Sequence, residues 1–307
     1  LSLGDKSVDV RVSSLPSSYG ERIVLRILDK QAAQINIDDL GLPPKILANY
    51  KSSLKNPEGI ILFTGPTGSG KTTTLYAGLR YLSDSSQNIL TVEDPIEYTL
   101  NGIGQTQVNN KTGYTFAKGL RAILRQDPDI VMVGEMRDIE TAQIGIQSSL
   151  TGHLVLSTVH TNSAVAAITR LRDMGIESFL LASSLRTIIS QRLVRRLCPH
   201  CKTKDKPSIK SIDIFGLDKN KSVYSAKGCD ECNHTGYQGR IAIAECIQID
   251  KTLKDFIHNN ASENEISEYV FKDNQSIDQA SVDLITSGVT SCEEIIRINN
   301  IQEDASI

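Results

Sequence analysis

The chain has 307 residues, 39% of them hydrophobic and 22% charged. That balance excludes a disordered protein and supplies apolar material for about two domains. Lys and Arg number 33 against 36 Asp and Glu, and the net charge of -3 counts against a protein that coats nucleic acid through a basic excess. No apolar run nears the roughly 18–20 residues that cross a bilayer. Six cysteines are too few for a disulfide scaffold. No secretory leader pattern opens the chain, so a reducing, cytoplasmic setting is expected. The first residue is Leu1 rather than Met, which raises the expectation of a piece of a longer protein.

Residues 7 to 28 alternate in strand fashion, with Val8, Val10 and Val12, then Ile23, Leu25 and Ile27, around a turn at Pro16–Gly20. A linker runs from Asp29 to about Gly41, and Pro43-Pro44 opens a helix that reaches about Leu54. Strand Ile60–Phe63 then enters a glycine-rich loop, and helix Thr72–Leu82 leaves it. Strands follow at Ile89–Val92, Ile130–Val133 and Leu154–Thr158, with helices at Phe116–Arg125, Ile139–Leu150 and Val165–Met174. Continuous apolar strands alternating with helices predict a parallel sheet covered on both faces. A long amphipathic helix is expected from about Phe179 to Leu197, followed by a Lys- and Ser-rich stretch and short apolar and helical patterns beyond Arg240.

Gly65-Pro66-Thr67-Gly68-Ser69-Gly70-Lys71-Thr72 matches G-x-x-x-x-G-K-[ST] between a buried strand and a helix. Glycines let successive N–H groups turn inward around phosphates, and the helix N-terminus adds its positive end. Lys71 should reach the β- and γ-phosphates, and the Thr72 hydroxyl should ligate Mg²⁺. A chance match in a tight strand–helix turn is the plainer alternative, and the flanking elements weigh against it.

Two strands end in carboxylates. Ile130–Val133 runs through Gly134 into Glu135, and Thr91-Val92 runs into Glu93, Asp94 and Glu97. Parallel neighbours bring such groups to the carboxyl edge of the sheet, where one can orient Mg²⁺ and another polarise the attacking water. Ordinary polar strand ends are the alternative for either strand alone. His160, at the far end of strand Leu154–Val159 with Thr158, Thr161 and Asn162, suits a γ-phosphate sensor. His153, at the strand's start, suits a structural role. On position alone either histidine could be structural.

Cys198-x-x-Cys201 and Cys229-x-x-Cys232 present four thiols in two knuckles, the usual way of holding Zn²⁺ tetrahedrally. Two redox dithiols or four unligated thiols remain the alternatives. A closed four-Cys shell has no open position, so its role would be structural, leaving Cys246 and Cys292 as core residues. The intervening segment 202–228 holds seven Lys and three acidic residues but little aromatic interleaving, which favours a partner-contacting surface over nucleic acid. Arg11, Arg22 and Arg26 lie in the first strands, and Arg121, Arg125 and Arg137 flank the acidic strand. Arginines from another domain or subunit can neutralise transition-state charge in nucleotide motors, although for any one of them alone a solvated face or surface ion pair is the favoured reading.

Together these motifs resemble the secretion and pilus-assembly ATPases of the type II/type IV secretion superfamily, across essentially the whole chain. Asp9-Val10-Arg11-Val12-Ser13, Gly20-Glu21-Arg22 and Leu25–Leu28 resemble the end of the family's N-terminal domain. Gly65–Thr72 is similar to its Walker A, Glu93–Glu97 to its Asp box, Gly134-Glu135 to its Walker B, and Thr151–His153 with His160–Asn162 to its His box. The tetracysteine pattern and Thr235–Arg240 resemble the zinc module of the type II secretion and pilus-extension branches. Gly102–Val108 and Leu171–Ile176 look closer to the type II branch.

The resemblance implies an α/β, RecA-like phosphate-loop ATPase core (46–197), a tetracysteine zinc module (198–240) and a C-terminal helical subdomain (241–307). These would follow the end of an incomplete N-terminal α+β domain (1–30) and a linker (31–45). It implies ATP, Mg²⁺ and Zn²⁺ as cofactors and a cytoplasmic homo-oligomer, a hexameric ring, peripheral on the inner membrane through platform proteins and with no nucleic-acid partner. Hydrolysis would drive pseudopilus assembly and the export of folded periplasmic proteins, with pilus extension as the alternative and a non-hydrolysing, nucleotide-gated scaffold behind it. By the same resemblance Glu93 activates water, with Glu135 beside Mg²⁺ or sharing that duty. His160 senses the γ-phosphate, Arg11 and Arg26 reach the nucleotide, and Arg121, Arg125 and Arg137 support the site or the subunit contacts.

Overall fold

The computed structural model describes residues 2–3, 6–7, 9–28, 35–83 and 86–299. Val8, residues 29–34 of the expected linker and residues 300–307 of the expected helical region lie outside the described residues. Strands β1 (Asp9–Ser17) and β2 (Gly20–Leu28) form the expected antiparallel hairpin, with Arg11 opposite Arg26. Its apolar side chains Val12, Leu15, Ile23 and Leu25 stay exposed.

Helix α1 (Pro44–Leu54) starts on Pro44, where a missing N–H has no helical acceptor to lose. Next come β3 (Gly59–Thr64), α2 (Lys71–Leu82), β4 (Ile89–Glu93), β5 (Gly104–Gln107) and α3 (Phe116–Ile123). The chain continues through β6 (Ile130–Val133), α4 (Ile139–Leu150), β7 (Leu154–Val159), α5 (Ala164–Asp173) and α6 (Ser178–Ser184). Thr115, Asp138 and Ser163 cap the N-termini of α3, α4 and α5 with side-chain oxygens, which is why these helices begin where they do.

Residues 179–197, expected as one long helix, divide differently. Helix α6 stops at Ser184, and Leu185–Leu197 form strand β8. Leu185, Leu193 and Leu197 fall near helical spacing, but the run Thr187-Ile188-Ile189 is β-branched and prefers the pleated backbone. Tertiary packing decides the outcome, because β8 inserts into the main sheet with Ile188 in the core of one face and Ile189 in that of the other.

Beyond it lie β9 (Thr203–Asp205), α7 (Ile209–Phe215), β10 (Val223–Ser225) and β11 (Tyr237–Gln248). Helices α8 (Lys251–His258), α9 (Glu263–Val270), α10 (Ile277–Thr286) and α11 (Cys292–Ile298) complete the described chain. Strand β11 runs across the boundary expected at 240/241 and joins the main sheet.

That sheet has the order β11-β8-β3-β7-β6-β4-β5, parallel throughout except for β11 against β8. One core packs α4, α5, α6, α8 and α9 against one face, and a second packs α1 and α2 against the other. Gly78 lets α1 and α2 close up, since a Cβ there would stand 1.9 Å from the buried Tyr50 hydroxyl. A smaller core joins α7, α10 and α11 to the ends of β8 and β11. Among the described residues no helix is long and apolar enough to cross a membrane.

Two buried carboxylates tie the C-terminal helices to the sheet. Glu245 on β11 accepts the N–H groups of Ala164 at 2.6 Å and Ile277 at 2.9 Å, the first residues of α5 and α10. Burial pushes this carboxyl above its ordinary range, and the two N–H groups pull the other way. Glu294 on α11, 1% exposed, accepts the Arg195 backbone N–H at 2.9 Å and the guanidinium groups of Arg195 and Arg297. Burial pushes the Glu294 carboxyl up, but hydrogen bonds and charge from Arg297 and Arg195 outweigh it and bring it to about 2. A depressed folded pKa adds stability that is complete above the unfolded value, near 4.5, and is lost as pH falls toward about 2. Glu294→Gln should therefore cost on the order of 2 kcal/mol at pH 7. Urea unfolding should show that gap shrinking as pH drops from about 4.5 toward about 2.

Candidate nucleotide site and cysteine cluster

Strand β3 ends at Thr64, and the chain turns through Gly65–Gly70 into α2. Gly65, Gly68 and Gly70 take φ of 138°, 80° and 89°, backbone that side chains rarely adopt. A Cβ on Gly65 would lie 2.3 Å from the Gln191 carbonyl oxygen, and one on Gly70 would lie 2.8 Å from Gln191 Nε2. Pro66, Thr67 and Gly68 are exposed at the loop's crest, with Thr72 exposed on the first turn of α2. Ser69 is 3% exposed and its hydroxyl has no partner. Lys71 is buried and folds back over the loop, donating to the carbonyls of Gly65 at 2.7 Å and Pro66 at 2.9 Å. Burial pushes the Lys71 ammonium down to about 8, with the charge of Glu135 pulling it back up.

The expected acids converge on this edge. Glu135 follows β6 and Glu93 ends β4, and a Cβ on Gly134 would lie 3.5 Å from Glu93 Cα. Strand β7 fixes the end of β6, with Thr158 Oγ1 donating to Gly134 O at 2.8 Å and Met136 N–H donating to Thr158 O at 2.9 Å. The two carboxylates differ in what surrounds them. Glu93 is 3% exposed and fully engaged: Oε1 accepts from Thr91 at 2.6 Å and Gln105 at 3.1 Å, and Oε2 accepts from Tyr76. Burial and the Glu93 charge push the Tyr76 hydroxyl above its ordinary range. Glu135 pairs through Oε1 with Arg137, while its buried Oε2 accepts no hydrogen bond and faces His160 Nε2 at 3.5 Å.

The remaining expected residues scatter. Arg11 reaches across from the hairpin to Glu97 at 3.2 Å and to Ile96 O at 3.1 Å. Arg26 is exposed opposite it, and Arg125 is exposed after α3. Arg121 forms an exposed ion pair with Glu140 at 2.7 Å. His153 Nδ1 lies 2.9 Å from Ser148 O, at the opposite end of β7 from His160. Sequence reading missed Tyr76, Gln105 and Gln191. Tyr76 lies in a short apolar run and Gln191 between Ser190 and Arg192, where a polar side chain reads as a solvated position.

Cys198, Cys201, Cys229 and Cys232 form one cluster with all four sulfurs within 4.8 Å of one another, including pairs at 3.9, 3.8 and 3.8 Å. Metal–sulfur bonds of about 2.3 Å in a tetrahedron set sulfurs about 3.8 Å apart, so the donor set fits a divalent metal. The N–H groups of Gly228, Cys229 and Gly236 point at Cys201 and Cys232 sulfurs from 3.2–3.3 Å, which stabilises thiolate charge.

A buried strand, glycine loop and helix, with a carboxylate at the end of a nearby parallel strand, define a phosphate-loop α/β core. The sequence model of the family described as Type II/IV secretion system protein matches residues 1–297, and the chain belongs to that family. The type II secretion system ATPase E of Vibrio cholerae serotype O1 is 53% identical over 300 residues, covering 97% of this chain and 60% of the relative. Type II secretion system protein E of Aeromonas hydrophila is 52% identical over 303 residues, with coverage of 97% and 60%. The chain thus spans about 60% of the length of these curated relatives. Among solved structures, the pilus retraction motor PilT with bound ADP superposes with a TM-score of 0.71 at 28% identity, covering 96% of this chain and 74% of that one. The Legionella pneumophila ATPase DotB shares the fold, with a TM-score of 0.66 at 24% identity, covering 96% of this chain and 72% of that one.

Gly65→Ala forces a Cβ against the Gln191 backbone. It should lower stability by about 2 kcal/mol and abolish any gain in thermal midpoint on adding Mg·ADP. A variant with the parent's midpoint shift would contradict this packing.

Proposed function

We propose that the chain is the ATP-hydrolysing portion of a bacterial type II secretion motor, in which turnover drives pseudopilus assembly and the export of folded periplasmic proteins. The observation that carries the reading is Glu135, a buried carboxylate with one unpartnered oxygen, in the field of Lys71 beside a glycine-rich phosphate cradle. Family membership and the names of the relatives support the secretion assignment. A homo-oligomeric ring, hexameric and held at the inner membrane by platform proteins, is part of the proposal. So is the division into a core at 46–197, a metal module at 198–240 and a C-terminal part at 241–307 after the hairpin, with β11 reaching across the last boundary into the core sheet and helices from Lys251 onward.

In this reading the N–H groups of 65–70 surround the phosphates, and Lys71 exchanges its bonds to Gly65 O and Pro66 O for the β- and γ-phosphates. Thr72 would hold Mg²⁺, whose charge offsets that of the phosphates. Glu135 takes a proton from a water as its oxygen attacks the γ-phosphorus and the bond to ADP breaks. His160, 3.5 Å from the free Glu135 oxygen, senses the γ-phosphate. Arg11 and Arg26 supply positive charge from the hairpin once Arg11 leaves Glu97, while Arg121, Arg125 and Arg137 serve subunit contacts and the Glu135 pair. The cysteine cluster would hold Zn²⁺ in a closed shell and fix the loops at 198–201 and 229–232.

An ATPase assay across protein concentration tests this. Lys71→Ala should lose ATP binding, whereas Glu135→Gln should keep binding and lose at least about 100-fold in rate. The parent's rate per chain should rise as rings assemble. A Glu135→Gln rate within twofold of the parent would sink the assignment, and a parent that binds ATP without turnover would be a nucleotide-gated scaffold instead. Elemental analysis should find one Zn²⁺ per chain, and Cys232→Ser should release it with a fall in thermal midpoint. Metal-free protein indifferent to chelators would remove the zinc proposal.

A further inference from the structure

The phosphate loop is shaped from outside by one residue to which the reaction above gives no role. Strand β8 pairs with β3 as far as Ser190 opposite Thr64, where β3 turns into the loop. Beyond that point β8 keeps only β11 as a strand neighbour, with Gln191 opposite Ala244, and the loop occupies the place that β3 has left. Gln191 is 3% exposed and touches the loop at its entry, its exit and the helix that follows. Its carbonyl oxygen fills the space a Gly65 Cβ would need. Its Nε2 donates to Ser69 O at 2.9 Å and lies 2.8 Å from where a Gly70 Cβ would stand. Its Oε1 accepts from Thr74 Oγ1 on α2 at 2.8 Å.

Chemistry fixes the orientation of this amide. The Ser69 carbonyl can only accept, so it requires Nε2, and the oxygen is thereby turned to the Thr74 hydroxyl. Both halves of the amide are satisfied in a dry environment, where leaving either partner alone is costly. A loop whose φ values favour glycine at three positions has little conformational preference of its own. Hydrogen bonds from a sheet strand supply what the loop lacks.

We propose that Gln191 is a positioning residue for nucleotide binding. It holds the carbonyl of Ser69 outward, so that the neighbouring N–H groups stay aimed at the phosphates of a nucleoside di- or triphosphate. The proposal rests on the reading of the loop as a nucleotide site. Because the cradle meets phosphates in both the ground and the transition state, loss of the clamp weakens binding rather than the chemical step.

Equilibrium titration of the chain with a fluorescent ADP analogue and Mg²⁺ gives affinity and stoichiometry together. Gln191→Met keeps the side chain's length and removes both hydrogen bonds. Its Kd should rise about tenfold while one site per chain remains. Thr74→Val, which removes the donor to Oε1 together with a longer contact of the same hydroxyl to Gly70 O at 3.2 Å, should raise Kd less, and the double variant should lose less than the sum of the two, since they share the Oε1 contact. A purely structural role would lower the stoichiometry of folded sites and leave Kd where it was, and that result overturns the proposal. So does a Kd within twofold of the parent in both single variants, or full additivity in the double. A parent that binds no nucleotide overturns the site reading itself and the proposal with it.

Discussion

In a parallel sheet every strand delivers its carboxyl end to the same edge, and here β3 sets where that edge lies. Its last residue, Thr64, pairs with Val159 of β7 on one side and with Ser190 of β8 on the other. One strand further, Val133 stands opposite Ser157, and Val92 opposite Val133. The register alone therefore brings the phosphate loop, Glu93, Glu135, His160 and Gln191 to one rim, though they are far apart in sequence. The energy that enforces the register comes from elsewhere. Strand β3 is buried along its whole length between two apolar cores, and each large aliphatic side chain removed from water there contributes about 1.5–3 kcal/mol. A slip of one residue would exchange the two faces, so apolar packing far from the loop fixes the geometry of a polar rim.

The parts legible in the sequence are those encoded locally. The phosphate loop reads directly because its glycines answer a local backbone need, and β3, β6 and β7 read because short apolar runs between turn signals have few other uses. The two cysteine knuckles are legible for the same reason. Strand β8 is not, since a strand buried on both faces loses the alternation that marks one, and its leucines fall at spacings a helix also uses. Strand β11 hides behind Glu245, whose charge interrupts the run Ile241–Ile247. What makes a buried carboxylate tolerable there is the convergence of two helix N-termini, from Ala164 and from Ile277, and neither is near in sequence. Such a partner exists only after folding, so no window of sequence can contain it.

Glu245 and Glu294 also explain why the last helices belong to the sheet. Each carboxylate joins β8 or β11 to a C-terminal helix through N–H groups or guanidinium groups. A buried acid with partners on two elements resists separating them, because either element leaving would strand a charge. Strand β8 thus carries Gln191 at the phosphate loop, Arg195 at the α11 contact and, just past its end, Cys198 in the cysteine cluster. The loop, the cluster and the C-terminal helices are consecutive stations on one strand.

The two acids expected to share the chemistry are unequal in their surroundings. Glu93 ends its strand where a catalytic acid should, yet Tyr76, Thr91 and Gln105 occupy its oxygens. Tyr76 also accepts the Glu97 N–H at 3.2 Å, and Glu97 holds Arg11 of the hairpin. In this conformation Tyr76 is the shared node, joining α2 to Glu93 and to the Glu97 N–H, and Glu97 in turn to the hairpin. Glu135 carries no such load on Oε2, the oxygen that faces His160. A carboxylate accepting three hydrogen bonds is built to hold a position, whereas one with a buried free oxygen is unfinished until a further donor arrives. Water bound beside a phosphate is such a donor, which is why the proposed proton transfer runs to Glu135 and leaves Glu93 to anchor Tyr76, Thr91 and Gln105 at the rim.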